Sequence, residues 1–165
     1  NANAYLDTPW ELQKNMVDIN VVALMHLSHL YGNEMKKRRK GRILNVASVA
    51  AFSAGPYMSV YYASKAFVFS LSQAMYEELK GYGVSVTALC PGPTGTNFEN
   101  TAGLTNSKMF KVFGVEKADS VVKRGYKGMM RGKAIVYHSK VTYGFNIITR
   151  LVSRKCARNI AGRIN

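Results

Sequence analysis

The chain has 165 residues, 47% of them apolar, with 14 Gly and only 4 Pro, which bounds it to one globular domain and excludes a disordered chain. No apolar run approaches the ~18–20 residues that cross a bilayer, and Cys90 and Cys156 lack metal or disulfide-framework spacing, which argues for a reducing, cytoplasmic setting. The net charge is +14, from 23 Lys+Arg against 9 Asp+Glu, and no acidic residue follows Asp119, so the second half should attract something anionic or present a solvated basic surface.

Thr8-Pro9-Trp10-Glu11 reads as a helix start, with Thr8 as cap, Pro9 at the first helical position and Glu11 completing a capping box. Leu12, Met16, Ile19, Ala23, Leu27 and Leu30 then recur at helical spacing, so a helix is predicted over 8–39, ending at Gly41. Its last residues, Lys36 to Lys40, are all cationic, which suits the negative end of a helix dipole. Residues 42–47 (RILNVA) form a short apolar run typical of a buried strand. A Ser/Ala/Gly-rich loop leads to a helix over 59–79, terminated by Gly81 and Gly83. Residues 84–90 (VSVTALC) predict a second buried strand, stopped by Pro91-Gly92-Pro93, and a long loop runs to about residue 107. Short helices over 107–113 and 117–130, a third strand over 133–137 and a helical tail from about 140 complete the chain. Alternating helix and strand is the grammar of a parallel α/β sheet with right-handed crossovers.

Chemistry concentrates at Tyr61-Tyr62-Ala63-Ser64-Lys65. Tyr61 and Lys65 are four apart and share one helix face. A phenol titrates near pH 10, and an ammonium one turn away favours its phenolate. Ser48 lies thirteen residues earlier, past the carboxyl end of the first strand, the edge at which open α/β sheets bind ligands. Tyr62 points about 100° away on the helix and is assigned to packing. His26 and His29 are three apart, but no third metal ligand is spaced with them, so they read as surface or interface residues.

Asn20 in a long helix, Ser48 after ILNVAS, Y-x-x-x-K at 61–65 and PGPTGT at 91–96 together resemble the short-chain dehydrogenase/reductase family. The match runs to about Phe98 and looks most like the bacterial reductases grouped with 3-oxoacyl carrier-protein reductases and hydroxysteroid-type dehydrogenases. The resemblance implies one Rossmann-like α/β domain over 1–165, with 1–98 catalytic and 99–165 forming the substrate loop and C-terminal part. It implies NADP or NAD as cofactor, NADP slightly favoured, and reduction of a carbonyl or oxidation of a secondary alcohol. In it, Tyr61 would be the general acid/base. Lys65 would lower the Tyr61 pKa and bind the nicotinamide ribose. Ser48 would orient the substrate oxygen, and Asn20 would hold a water linking Lys65 to solvent. Pro91 and Gly92 would shape the loop under the nicotinamide, and Thr94 or Thr96 would reach its carboxamide. The loop from residue 94 to 114, with Phe98, Leu104, Met109, Phe110 and Phe113, implies an apolar substrate pocket. Helices 8–39 and 59–80 would form a homo-oligomer interface.

The family's phosphate cradle, a TGxxxGxG turn, is absent from the sequence, and Asn1-Ala2-Asn3-Ala4 falls near the family's NNAG turn. The chain begins without Met and shows no signal peptide, so it reads as the C-terminal part of a reductase, and alone it should bind dinucleotide poorly. A second reading is a non-catalytic binding protein. Arg150, Arg154 and Arg158 recur every four residues beside an apolar row of Val141, Phe145, Ile148 and Val152. Such a basic amphipathic helix would either pack on its own domain with Arg outward or dock on anionic lipid, making the protein peripheral at a membrane. An acidic carrier protein is another partner that suits the charge, whereas nucleic acid has only net charge behind it.

Overall fold

A computed structural model of the chain describes residues 3–96 and 113–164. Three parallel strands, β1 (Gly41–Val46), β2 (Val84–Cys90) and β5 (Ile135–Tyr137), lie side by side in the order β1-β2-β5. Gly41 pairs with Val84 at one end and Val46 with Leu89 at the other, so β1 and β2 run in step. Two further strands, β3 (Thr94–Gly95) in the expected loop and β4 (Glu116–Lys117) at the expected start of the helix over 117–130, form a short parallel ladder.

Each sheet face is covered by a helix. The side chains of β2 alternate across the sheet as the pleat requires. Ala88 and Cys90 pack with Val68 and Phe69 of α3 (Ser59–Leu79), whereas Leu89 packs on the other face with Val136 and with Val121 of α4 (Ala118–Met130). Buried polar groups between these layers are paired: Asn45 Nδ2 donates to Ser72 Oγ (3.0 Å), and Thr87 Oγ1 to the Lys133 carbonyl (2.6 Å). A third apolar cluster of Val49, Ala50, Met58, Tyr62, Phe113 and Ala161 lies beyond the sheet, beside the loop that follows β1.

The predicted bounds 59–79 and 84–90 agree with α3 and β2. The first predicted helix needs correction at its start and in its middle. Thr8 does not cap it: its hydroxyl donates back to the Ala4 carbonyl (3.1 Å), and Pro9, which lacks a side-chain donor or acceptor, precedes α1 (Trp10–Val17). The segment before α1 is instead held by Gln13 Nε2, which donates to the carbonyls of Tyr5 (3.1 Å) and Thr8 (2.9 Å). Residues Asp18–Ala23 form a π-helical stretch, after which α2 (Leu24–Lys37) continues. The tail is two helices, not one. α5 (Lys140–Leu151) ends at an extended Val152, and Ser153 accepts from the Cys156 N–H (3.2 Å) to start α6 (Arg154–Ile164). The expected helix over 107–113 and the loop residues Phe98, Leu104, Met109 and Phe110 lie outside the described residues, apart from Phe113, which is buried.

Candidate active site

β1 ends at Val46, and Ser48 follows in extended conformation, its hydroxyl accepting from the Ala50 N–H (3.2 Å). The turn after β1 is tied to the turn after β2, because the Val49 N–H donates to the Pro91 carbonyl (2.9 Å). Ser48 and the 91–96 segment therefore share the carboxyl edge of adjacent parallel strands, where an open α/β sheet leaves its crevice.

α3 brings the phenol and the amine to that edge. The Ser48 hydroxyl lies beside the Tyr61 phenol and favours its charged form. Lys65 Nζ lies 5.8 Å from the Tyr61 ring centre and donates to the carbonyl of Val46 (3.0 Å). Tyr62 is 4% exposed and packs against Met58 and Val49, as the helical angle required. It also lies flat on Gly55, where a Cβ would come within 2.3 Å of its ring.

The electrostatics differ from the expectation built on spacing alone. Burial pushes the Tyr61 phenol above its usual range, and the influence that opposes this is the Ser48 hydrogen bond. Burial also pushes the Lys65 ammonium below the usual lysine range. Cys90, deep under the same edge, is pushed up to about 12 by burial and is a packing residue rather than a nucleophile.

Asn20 sits in the π-helical stretch, a feature often found at functional sites. Its amide donates to Ser64 Oγ (3.2 Å), and Ser64 Oγ donates to the Tyr61 carbonyl (2.7 Å), which ties the first helix to the turn bearing the phenol. Thr94 Oγ1 donates to the Gly92 carbonyl (3.1 Å) and Thr96 Oγ1 to the Thr94 carbonyl (3.4 Å), so in this geometry both hydroxyls shape their own turn. Pro91 and Gly92 lie directly after β2.

Three contributors had not been read from the sequence. Ser64 bridges Asn20 to Tyr61, and the Val46 carbonyl holds Lys65. The third is a pair across the β3–β4 and β5 region: Glu116 contacts Nδ1 of the buried His138, whose Nε2 lies 3.1 Å from Ser120 Oγ. Ser64 lies inside the Y-x-x-x-K segment, so position was its only available signal. His26 is exposed, and His29 Nε2 contacts Asn33 Nδ2 (3.1 Å).

Comparison with known proteins shows the family. A family model described as short chain dehydrogenase matches residues 4–107. The 7beta-hydroxysteroid dehydrogenase of Collinsella aerofaciens is 34% identical over 90 residues, covering 54% of this chain and 34% of that protein. The 17-beta-hydroxysteroid dehydrogenase type 3 of Mus musculus is 35% identical over 123 residues, covering 74% of this chain and 37% of that protein. The chain thus spans little more than a third of the length of the curated relatives it matches. Among solved structures, a short-chain dehydrogenase from Sphingobium yanoikuyae in complex with NADPH superposes with a TM-score of 0.76 at 26% identity, over 90% of this chain and 58% of that one. A 7beta-hydroxysteroid dehydrogenase superposes with a TM-score of 0.80 at 22% identity, over 96% of this chain and 62% of that one.

Proposed function

The chain belongs to the short chain dehydrogenase family, and from that premise we propose that it carries the proton-transfer half of an NAD(P)-dependent oxidoreductase interconverting a carbonyl and a secondary alcohol. The observation that carries the reading is the gathering of the Ser48 hydroxyl, the buried Tyr61 phenol and the Lys65 ammonium, 5.8 Å from the Tyr61 ring centre, at the carboxyl edge of β1 and β2. When bound, the dinucleotide supplies the hydride. The chain's own residues manage the proton. The Tyr61 phenol gives its proton to the substrate oxygen during reduction and takes it back during oxidation. The Ser48 hydroxyl holds that oxygen beside the phenol. Asn20, tethered to Ser64, holds a water that returns protons from solvent through Lys65.

The residues present suit one end of the cofactor. A phenol, an ammonium and the backbone groups of the 91–96 turn meet at one sheet edge, a donor set that fits a ribose and a carboxamide. Lys65 would hold the ribose, Pro91 and Gly92 would underlie the nicotinamide, and Thr94 or Thr96 would reach its carboxamide by releasing a turn hydrogen bond. The sequence has no TGxxxGxG turn to cradle the pyrophosphate, so these residues alone bind dinucleotide weakly. NADP is favoured over NAD because the Sphingobium yanoikuyae neighbour is an NADPH complex. The substrate is an apolar ketone or alcohol, a reading supported by relatives named hydroxysteroid dehydrogenases. The protein works as a homo-oligomer through helices 8–39 and 59–80.

The test is Tyr61→Phe in the full-length protein. Turnover should fall by about three orders of magnitude or more, within the range expected for losing a positioned general acid, while thermal unfolding stays unchanged. Unaltered turnover rejects the assignment.

A further inference from the structure

Helix α5 is inside out. Its fully buried residues are polar: Thr142 is 0% and Asn146 3% exposed, with Thr149 half-buried beside them and Phe145 packing against the core cluster of Phe113. These groups are satisfied within the domain, Asn146 Nδ2 donating to the Tyr137 hydroxyl (2.7 Å), Thr142 contacting Ser139 Oγ (2.8 Å) and Thr149 Oγ1 donating to the Phe145 carbonyl (3.0 Å). Its open side is apolar: Leu151 is 81%, Ile148 51% and Val141 50% exposed, with Ile147 beside them. At 1.5 Å per residue this stripe runs the length of the helix, about 18 Å. A helix that packs on its own domain does the reverse. The expected row of Val141, Phe145, Ile148 and Val152 is therefore split, with Phe145 and Val152 half-buried and Val141 and Ile148 facing water.

Cations frame the stripe. Lys140 stands at its start, Arg150 at its flank, and Arg154 and Lys155 follow its end, all exposed. Lys140 and Tyr143 also line a cavity of about 920 Å³ along β5, together with Lys123, Arg124, Lys127, Arg131 and Lys133, and among the described residues the only acid lining it is Asp119. An apolar strip bordered by cations, with no acid anywhere in residues 120–165, matches one kind of surface. Apolar side chains enter the acyl boundary while cations meet anionic headgroups, and no fixed register of partner charges is needed. A second copy of this face brings the same cations and is repelled.

We propose that α5, with the basic cavity beside it, docks the protein on a bilayer containing anionic lipid, the helix lying in the plane of the interface. This rests on the exposed face of α5 and is independent of the hydride-transfer reading.

The full-length protein is sedimented with vesicles of phosphatidylcholine alone and of phosphatidylcholine with phosphatidylglycerol in equal parts. Binding is expected to the anionic vesicles only, weakening with salt. The double variant Ile148→Ser, Leu151→Ser should lose about tenfold or more in partitioning, as expected for withdrawing two large apolar side chains from the interface. Lys140→Gln with Arg150→Gln should weaken binding and flatten its salt dependence. Unchanged far-UV circular dichroism and unchanged turnover of a soluble substrate verify that these variants fold. Leu151→Cys in a Cys156→Ser background, carrying an environment-sensitive dye, should shift its emission to the blue on anionic vesicles. No sedimentation with anionic vesicles overturns the proposal. So does sedimentation that is indifferent to Ile148 and Leu151, or that leaves the dye in water, because charge adsorption alone then explains it. Capture by an acidic protein without vesicle binding overturns it equally.

Discussion

The phenol of Tyr61 is under two opposed influences, and removing one predicts a direction. Burial raises its pKa, and the Ser48 hydrogen bond lowers it. In alcohol oxidation the group must accept a proton, so the rate should climb as pH rises through its pKa and level off above it. In carbonyl reduction it must be protonated, so the rate should persist into alkaline solution and fall above the same pKa. Ser48→Ala removes the lowering influence, so both transitions should move to higher pH, along with a loss of turnover. Ser48→Thr keeps a hydroxyl and should restore the original profile. kcat measured against pH in the full-length protein decides this, and a transition that stays put or moves to lower pH contradicts it. Ser48, Tyr61 and Lys65 were legible in the sequence because their proximity follows from helix spacing and a strand end. The balance of forces on Tyr61 was not, because spacing reveals that an ammonium is near but not how much water is excluded around both groups. Ser64 and the Glu116–His138 pair were hidden for a related reason. Glu116 and His138 lie on either side of α4, and only the packed fold brings them together.

At the level of elements, α4 sits on the sheet through two glycines. A Cβ at Gly125 would lie 2.7 Å from Leu89 Cδ2, and one at Gly128 would lie 2.2 Å from Val136 Cγ2. Glycine inside a helix ordinarily costs about 0.5–1 kcal/mol relative to alanine. Here the close approach of helix to strand reverses the sign. Gly128→Ala should destabilise by about 1–3 kcal/mol through overpacking. Gly144→Ala is the control, since nothing lies within 4 Å of a Cβ there, and it should stabilise by about 0.5–1 kcal/mol. Urea midpoints with unchanged slope measure both, and a stabilising Gly128→Ala would show that α4 can lift without cost. Element types and the bounds of α3 and β2 were readable because hydrophobic period and terminal Gly or Pro agree. The break between α5 and α6 was not, because Arg150, Arg154 and Arg158 keep helical spacing straight across it and neither Gly nor Pro marks it. The one local signal was Ser153, whose hydroxyl caps the next turn. The false cap at Thr8 is the converse case: the residue type is right, but its hydroxyl is taken by the Ala4 carbonyl.

At the scale of the whole molecule, α2 repeats the exposure of large apolar side chains seen in α5. It buries Ser28 and Gly32, the latter against Met75 and Leu79 of α3, and exposes Leu27 (52%), Leu30 (50%), Met25 and Tyr31. Lys14 beside this face is paired with Asp18 (2.6 Å) and Lys37 with Glu34 (2.7 Å), while the basic run Lys36 to Lys40 gathers at the carboxyl end of α2. An apolar face with its cations gathered at one end suits another protein surface, with large apolar side chains at its centre and charge at its rim. Two copies related by a two-fold axis would bring these apolar side chains together. The full-length protein should therefore have at least twice the monomer mass by light scattering. Leu27→Glu with Leu30→Glu buries like charges across that axis and should shift the mass to monomer, whereas the Leu151 and Ile148 replacements should leave it unchanged. A wild-type monomer, or an oligomer indifferent to Leu27 and Leu30, would contradict this. The two exposed apolar faces are tested separately in this way, because replacements on one should leave the readout of the other unchanged.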